Sequence, residues 1–515
     1  MAEQIRPEPA ENEGQDGQRV ENDGLQRVEV RRGQYADSVA LMLLSRTVSA
    51  LPGVRAALVA MATELNLDVL AGMGFPRPAV DSANDLLLAI RASDETALAA
   101  AFEQAERLLA APAGAAPAPA GQLPPRTVGA AANQAGPGLA VISVPGQHAF
   151  VEAMDALEAG CDVLLFSDNV PVSQEIALKD AAAERGLLVM GPDCGTAVVG
   201  GIGLGFSHTL SPGPVGVIAA SGTGAQQVLC LLDAAGVGIT AALGVGGRDL
   251  SDQVAGRSTR AALALLDADP ATELILLVSK PPAERVAATL RDELAARATP
   301  AELALLGPDS PDLTAAVERA LAALGVAVPS WPAWPQPIGQ HTGGALRGLF
   351  CGGTLCDEAM LLAAAELGEV RSNVPLRPDR ALPDPLAVAA GHWMVDFGDD
   401  ELTRGRAHPM IDPTLRDEQL RRTLADPGTG VVLLDVVLGH GAHPDPAAGL
   451  VPILQSARVP VVVSLIGARQ DPQDLHATAG RLHAAGASVF LSNAAATRHA
   501  LALLGSGSAE LGGPA

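Results

Sequence analysis

The chain has 515 residues, of which 48% are hydrophobic but only 2% aromatic, so three or four domains with cores of Ala, Val and Leu are expected. Its formal net charge of −24 argues against nucleic acid or an anionic membrane as a partner. Five cysteines without paired spacing argue against a disulfide framework and a zinc site, and no metal is expected. The N-terminus lacks the apolar segment of a signal peptide and no long apolar run predicts a membrane span, so we expect a soluble cytoplasmic protein.

Residues 1–26 are polar and predict a disordered tail. A small α/β domain is predicted at 27–110, where three apolar strands alternate with three helices. The strands are predicted at 27–31, 56–61 and 85–90, and the helices at 37–50, 66–72 and 95–109. A Pro/Ala-rich linker follows at 111–127.

Short apolar runs separated by Ala-rich segments predict parallel sheets covered by helices on both faces. These strands are predicted at 139–144, 162–167, 187–191, 213–220, 239–246 and 273–279. Such a doubly wound α/β architecture binds its ligands at the carboxyl ends of the strands. We divide this part into domains at 128–210 and 211–327, followed by a Pro/Trp-rich linker at 328–342 and a last domain at 343–508. Both linkers are expected to be the first sites of proteolysis.

The part of the chain after residue 210 predicts an internal duplication. Gly222-Thr223 in the first copy matches Gly353-Thr354 in the second, and an Asp-Pro-x-Thr sequence recurs at 269–272 and 426–429. The second copy carries about two dozen extra residues, 370–392. Because the matches occur in the same order, they indicate repeated supersecondary units rather than chance similarity.

Each copy places a glycine-threonine step between the end of a strand and the start of a helix. The free N–H groups and the positive dipole end of such a helix start favour an anion. Two helix starts that face each other could share one phosphate, whereas ordinary N-capping is the alternative interpretation. The predicted phosphate-binding residues are Ser221, Gly222, Thr223, Gly224, Gly352, Gly353, Thr354 and, from the loop at 244–252, Arg248.

Several motifs resemble the alpha chain of succinyl-CoA synthetase. They read AVISVP (140–145), VLLFSDNVPVSQ (163–174), GPDCGTA (191–197), GVIAASGTGAQQ (216–227) and GVGGRDLSD (244–252). VPVVVSLIG (459–467) resembles the carboxyl-terminal domain of the beta chain of the same enzyme. The fused order of these parts, together with DFGDDELTRGRAHPMIDP (396–413), is similar to the FdrA family. The resemblance implies a Rossmann-like CoA-binding-type domain, two flavodoxin-like succinyl-CoA-synthetase-type domains, and partner subunits.

The chain also departs from the synthetase pattern. No histidine occurs in ELALLGPDSPDL (302–313), where the resemblance would place the residue that becomes phosphorylated, and neither the first glycine loop of the CoA-binding domain nor an ATP-grasp domain is recognised. The resemblance therefore implies phosphate or an acyl phosphate as substrate, with CoA as a further candidate. It implies an FdrA-type subunit that transfers an acyl or carbamoyl group, as in oxamate carbamoyltransferase, which converts oxalurate and phosphate to oxamate and carbamoyl phosphate. An acyl-CoA synthetase that needs a partner for nucleotide activation and a non-catalytic scaffold are the alternatives.

The loop at 396–413 supplies the predicted catalytic residues. Arg404, or the nearby Arg406, could clamp a carboxylate of the substrate. His408 could act as acid or base, and Asp399 is the third predicted catalytic residue. A surface loop fixed by prolines is the alternative. Further along the chain, His440, His443 and Asp445 follow a strand predicted at 431–438, and they are compatible with lining a site or, less directly, with a metal pair.

Cys351 and Cys356 flank the second helix start, which would lower a thiol pKa. Simple packing in the core is the alternative for both of these cysteines.

Overall fold

The computed structural model describes residues 24–34, 36, 38–82, 85–110, 125–337, 343–404 and 406–505. Most of the predicted tail, residues 111–124 of the first linker and residues 338–342 of the second lie outside the described residues. The chain forms two compact units, residues 1–119 with 405–407 and residues 120–404 with 408–515. No helix in the described part of the chain is long and apolar enough to span a membrane.

The N-terminal unit is a three-stranded antiparallel sheet with strand order β1-β3-β2. Its elements are β1 (Leu25–Arg31), α1 (Ser38–Ser49), β2 (Val54–Met61), α2 (Glu64–Gly72), β3 (Leu86–Ala92) and α3 (Glu95–Ala110). All six predicted elements are confirmed. Alternate residues of the central strand β3 enter two separate cores, because successive side chains of a strand point to opposite faces.

The second unit begins with a Rossmann-like, three-stranded parallel sheet of order β4-β5-β6. Its elements are α4 (Val128–Ala135), β4 (Leu139–Ile142), α5 (Gly146–Glu158), β5 (Asp162–Leu165), α6 (Val172–Arg185) and β6 (Val189–Met190). The three predicted strands are confirmed in position and in direction.

A six-stranded sheet of order β12-β11-β9-β10-β7-β8 follows. Its elements are β7 (Thr196–Val199), β8 (Ile202–Gly205), β9 (Pro212–Ala220), α7 (Gly222–Ala234), β10 (Ile239–Gly244), α8 (Arg257–Ala268), β11 (Leu274–Ser279), α9 (Glu284–Ala295), β12 (Ala301–Leu305) and α10 (Leu313–Ala323). Strands β9, β10 and β11 are parallel as predicted, and β12 pairs parallel with β11. Strands β7 and β8 form an unpredicted antiparallel hairpin beside β10. Gly200 and Gly201 close it with positive φ angles of 58° and 77°, which suit a two-residue hairpin turn.

The last sheet has seven strands in the order β13-β19-β18-β17-β14-β16-β15. Its elements, which include a short 3-10 turn at Pro378–Arg380, are β13 (Ala333–Trp334), β14 (Ala345–Phe350), α11 (Gly353–Leu367), β15 (Val370–Ser372), β16 (His392–Asp396), α12 (Asp400–Thr403), α13 (Thr414–Ala425), β17 (Thr429–Val437), α14 (Pro446–Gln455), β18 (Val461–Ile466), α15 (Leu475–Ala484), β19 (Ser488–Phe490) and α16 (Asn493–Leu504). Strand β13 lies inside the predicted second linker and pairs antiparallel with β19, so this part of the linker is ordered.

The two larger sheets confirm the duplication. The order β12-β11-β9-β10 recurs as β18-β17-β14-β16, which in each copy is the flavodoxin-like arrangement of strands 4-3-1-2. The two Asp-Pro-x-Thr turns also contain equivalent internal hydrogen bonds. Asp269 Oδ2 accepts a bond from Thr272 Oγ1 at 3.3 Å, and Asp426 Oδ2 accepts one from Thr429 Oγ1 at 3.2 Å. The extra residues of the second copy contain β15, which extends the sheet beyond β16.

One continuous hydrophobic core joins the two flavodoxin-like domains, because apolar residues of α7, β9 and β11 belong to the same cluster as those of α11, β14 and β17. Buried polar contacts also cross between the domains. Gln227 of α7 donates to the carbonyl of Leu491 at 3.1 Å and accepts from the amide of Asn493 at 2.9 Å. The two copies are therefore held in one fixed arrangement, and the carboxyl ends of their central strands lie side by side.

Candidate functional site

The starts of α7 and α11 meet at the boundary between the two flavodoxin-like domains. Ser221 caps α7 by accepting a hydrogen bond from the amide of Gly224 at 2.9 Å. The same hydroxyl lies 2.6 Å from Thr354 Oγ1 in the first turn of α11. The glycine-threonine steps of the two copies, predicted to face each other, are thus in direct contact.

Small residues allow this close approach. A Cβ atom on Gly352 would lie 2.7 Å from Thr223 Cγ2, and one on Gly224 would lie 3.0 Å from Thr354 Cγ2. Each threonine therefore packs against a glycine of the other copy. The side chains of Ser221, Thr223 and Thr354 are buried. The hydroxyl groups of Ser221 and Thr354 form a hydrogen bond with each other.

This packing corrects the predicted geometry of the anion site. The space directly between the helix starts is filled by side chains, so an anion cannot lie between them as predicted. Gly222 is exposed with nothing within 4 Å of its Cβ position, and Gly353 is partly exposed. Contact of these two glycines with an anion stays a prediction.

Lys280 stands beside both helix starts, and sequence reasoning missed it. It follows β11 directly, and because Ser279 pairs with Ala220 in the sheet, it is a neighbour of Ser221 at the carboxyl edge. Its Nζ lies 2.9 Å from the position that a Cβ atom on Gly353 would occupy. No hydrogen bond or ion pair within 4 Å joins this amine to any residue in the described ranges.

The charge of Lys280 is set by two opposing effects. Burial alone would lower its pKa, but the carboxylates of Asp357, Asp396 and Asp193 outweigh burial, and the pKa is raised. The amine is therefore an ammonium group at neutral pH. The sequence offered a signal for Lys280. Only Lys179 and Lys280 among the 34 basic residues are lysines, and Lys280 directly follows a buried strand.

Asp396 approaches the same point from the other side. It ends β16 with only 5% of its surface exposed. Its Oδ1 accepts a hydrogen bond from the amide of Gly398 at 2.9 Å, whereas Oδ2 lies 2.7 Å from the Cβ position of Gly353. Burial raises the pKa of Asp396 to about 7, against the opposing effect of Lys280, and burial likewise raises the pKa of Asp357 to about 6. Asp396 is the first residue of the 396–413 motif, in which Asp399 was predicted as the catalytic carboxyl group.

His408 lies close to Asp396, and its role as an acid or base stays a prediction. Its Nε2 is 2.8 Å from the Cβ position of Gly398, and its ring centroid is 5.6 Å from that of Phe206. The Nδ1 atom accepts a hydrogen bond from the amide of Met410 at 3.2 Å. Burial lowers the pKa of His408 to about 4, so the ring is neutral at pH 7 and Nε2 carries its proton.

Arg404 and Asp399 lie on the outer part of the same loop. Asp399 is the N-cap of α12 and accepts a hydrogen bond from the amide of Glu401 at 3.1 Å. Arg404 directly follows this short helix as its C-cap, and its side chain is exposed. It forms no ion pair within the part of the chain that the structure describes. Asp399 thus has a clear structural role as a cap, and the predicted roles of both residues in substrate binding stay predictions.

Arg248 is engaged in the fold. It donates a hydrogen bond to the carbonyl of Val170 at 2.8 Å and lies 2.9 Å from Glu175 Oε2. Glu175 and Asp249 also hold the ammonium group of Lys179 at 2.8 and 2.7 Å in a buried ion-pair network. Arg248 therefore links the Rossmann-like sheet to the six-stranded sheet, although 46% of its side chain is exposed and its predicted contact with phosphate stays a prediction.

The other candidate residues have local partners. His440 Nε2 lies 3.1 Å from Thr209 Oγ1, and Asp445 caps α14 and pairs with Arg481 at 2.8 Å. Within the described ranges, no three His, Cys, Asp or Glu side chains are grouped as a metal site.

The five cysteines are all buried as free thiols. Burial raises the pKa of both Cys351 and Cys356 well above that of a free thiol. Packing of both cysteines in the core is confirmed, and the helix start does not lower their pKa because desolvation dominates.

Comparisons with known proteins bear on these observations. The family model described as CoA-ligase matches residues 349–503, and the model described as AllF, heavy metal-associated domain, matches residues 25–123. The chain is 36% identical over 455 residues to the uncharacterized protein YahF of Escherichia coli strain K12, and the alignment covers 84% of this chain and 88% of YahF. The chain belongs to the same family as YahF.

More distant relatives of this YahF-family chain are named ligases. It is 28% identical over 160 residues to the alpha subunit of the ADP-forming succinate–CoA ligase of Aquifex aeolicus, and 31% identical over 140 residues to the alpha subunit of the malate–CoA ligase of Methylorubrum extorquens. These alignments cover 30% and 26% of the chain and about half of each relative, 51% and 45%.

Among solved structures, acetyl-coenzyme A synthetase 1 of Ca. Korarchaeum cryptofilum, in complex with phosphate and ADP, is 16% identical. The match covers 72% of this chain and 82% of the synthetase chain, with a TM-score of 0.27. Residues 349–503 thus match the CoA-ligase family, and part of the chain is similar to the alpha chain of succinyl-CoA synthetase.

The name of the N-terminal family model implies a heavy metal ion. Residues 25–123 contain neither cysteine nor histidine, which are the side chains that bind soft heavy metals most strongly. The residues present therefore do not fit such an ion, and we derive no chemical step from a metal in this domain.

Proposed function

We propose that the chain is a subunit of an FdrA-type enzyme that transfers an acyl or carbamoyl group to or from phosphate at the paired starts of α7 and α11. The observation that supports this most directly is the ammonium group of Lys280, which faces the accessible side of the α11 start beside Gly353. A helix start supplies several N–H donors and a positive dipole end, and a nearby cation adds to the attraction of an anion. These groups lie at the point where the strand order reverses in the first flavodoxin-like sheet, between β9 and β11, where such folds bind ligands.

The specific reaction that we propose is that of oxamate carbamoyltransferase, in which oxalurate and phosphate give oxamate and carbamoyl phosphate. In this scheme the helix starts and Lys280 hold the phosphate, and His408 on the adjoining loop contacts the organic substrate. Partner subunits complete the enzyme, in the manner implied by relatives that are named as subunits.

The second candidate function is an acyl-CoA synthetase similar to succinate–CoA ligase, with CoA as substrate and a partner that supplies nucleotide activation. The match of residues 349–503 to the CoA-ligase family favours it. A scaffold without catalytic groups is the third candidate, for which Asp396 is poorly suited, because a buried carboxyl group with a strongly raised pKa is more typical of a functional site.

Calorimetry on the purified chain distinguishes the first two functions. Titration with phosphate and with CoA is expected to show phosphate binding that is lost in Lys280→Met, while Arg291→Met, which changes an exposed helix residue, retains it. Micromolar binding of CoA would favour the synthetase instead. Incubation with labelled ATP provides a further test, because an acid-labile phosphohistidine would contradict direct transfer to phosphate.

A further inference from the structure

We propose that Asp396 is the catalytic residue that carries the proton exchanged during group transfer at the α11 start, with Lys280 as the cation that holds the transferred anion. This inference rests on the proposed function, since it assigns roles within the same site. It concerns two residues that neither the motifs nor the family resemblance singled out.

The geometry brings both groups to one accessible point. Lys280 Nζ and Asp396 Oδ2 lie 2.9 and 2.7 Å from the Cβ position of Gly353, the first residue of α11. Because residue 353 is a glycine, both side-chain ends can approach the partly exposed start of α11 this closely. Asp396 Oδ2 has no hydrogen-bond partner among the described residues, although the residue is 95% buried and its Oδ1 is fixed by Gly398.

Three carboxylates around a single ammonium group, those of Asp396, Asp357 and Asp193, are unusual for a simple anion-binding site. Asp357, in the second turn of α11, also faces Lys280 and is 93% buried. A pocket that only bound phosphate would gain nothing from them, because like charges repel. A pocket that also delivers a proton to a leaving group next to that phosphate needs such a carboxyl group.

The proposed step is balanced in atoms and charge. A phosphate oxygen forms a bond to the carbonyl carbon of the substrate, and the bond from that carbon to the leaving nitrogen breaks with its electron pair moving to nitrogen. Asp396, in its protonated form, gives its proton to that nitrogen. Its carboxylate then takes the proton that the attacking hydrogen phosphate releases, so Asp396 returns to its initial state and no further reactant is needed.

Titration of Asp396 fits this role. Burial raises its pKa to about 7, close to working pH, where a proton-transfer group is most effective. The titratable or charged groups that face Asp396 from neighbouring elements are Lys280, Asp357, Asp435, His408, Cys351 and Cys356. His408 is neutral above about pH 4, and both thiols stay protonated. The pKa values of Asp357 and of Asp193, which also faces Lys280, are about 6, and burial raises the pKa of Asp435. Substitution of Asp396 and of Asp357 in turn therefore separates the effect of Asp396 from that of the other carboxyl groups.

Binding of inorganic sulfate tests the arrangement, because sulfate does not titrate in this range. We expect calorimetry to show that the dissociation constant of the full chain rises at least about tenfold between pH 6 and pH 8, as Asp396 ionises beside the anion. Asp396→Asn is expected to bind sulfate with high affinity at both pH values, Asp357→Asn to keep the rise near pH 7, and Lys280→Met to lose binding. Asp292→Asn, which changes an exposed carboxyl near the end of α9, serves as the control.

A second readout concerns turnover. In the assembled enzyme, Asp396→Asn is expected to lower kcat by about 10²–10⁴-fold while sulfate affinity is retained. Sulfate binding with the same pH dependence in Asp396→Asn as in the unchanged protein would overturn the role of Asp396 and leave the proposed function intact. Absence of sulfate binding at every pH would instead overturn the proposed function itself.

Discussion

Asp396→Asn should stabilise the protein at alkaline pH, because the unchanged protein must bury a carboxylate there. The pKa of Asp396 rises from 3.8 to about 7 on folding, chiefly through burial. Each unit of pKa shift corresponds to about 1.4 kcal/mol, so the carboxylate destabilises the fold by up to about 4 kcal/mol at pH 8. Asparagine has nearly the same shape and no charge.

The sign follows from linkage. Since the folded pKa lies above the unfolded one, the folded state holds the proton more tightly, and stability is lost as pH rises from about 4 to about 7. The substitution should therefore raise the free energy of unfolding by about 1 kcal/mol or less at pH 4.5. Its full stabilising effect should be seen at pH 8.

Thermal unfolding of the two proteins at pH 4.5 and pH 8 measures this difference, with Asp309→Asn as a matched exposed control. We expect the apparent Tm of Asp396→Asn to exceed that of the unchanged protein by several degrees at pH 8 and to match it closely at pH 4.5. Equal Tm differences at both pH values, or a loss of stability at pH 8, would refute the inference that Asp396 is buried without a compensating partner.

Three further predictions concern the site and the domain boundaries. Gly353→Val should abolish phosphate binding measured by calorimetry, because its side chain would meet Lys280 and Asp396, whereas Gly222→Ala adds a methyl group in open space and should retain binding. Asp471→Ala should lower the free energy of unfolding by about 3–5 kcal/mol, since it leaves a buried histidine 2.6 Å away without its partner; unchanged urea denaturation would contradict this. Limited proteolysis should cut within 111–125 before it cuts at 331–334, which the structure orders; mass spectrometry of the early fragments identifies the first cut.

The stability contributed by Asp471 should also depend on pH. Although burial opposes it, hydrogen bonds from His208 and from two backbone amides lower the pKa of Asp471. A carboxyl group with a lowered folded pKa stabilises the protein above its unfolded pKa and loses that contribution as pH falls through the folded value. The effect of Asp471→Ala should therefore shrink in acid, which is the opposite of the dependence expected at Asp396.

Local sequence patterns were sufficient for most of the secondary structure. Apolar runs of four to nine residues were sufficient to predict most strands. The matched glycine-threonine steps predicted the starts of α7 and α11 and indicated the duplication. The hairpin of β7 and β8 escaped prediction because its strands are short and partly exposed, so neither continuous nor alternating hydrophobicity marks them. Strand β13 escaped because two residues in a proline-rich segment acquire their pairing only from β19.

The chemistry of each helix start can be read from the sequence, since a strand followed at once by glycine and threonine leaves free N–H groups wherever the helix is placed. Which of those groups remain available depends on how the two domains pack. Ser221 and Thr354, 133 residues apart, bond to each other, whereas Lys280 and Asp396 converge on Gly353. The physical reason is that hydrogen bonding and burial depend on how the two domains pack, and no local pattern encodes which atoms the opposite domain will cover.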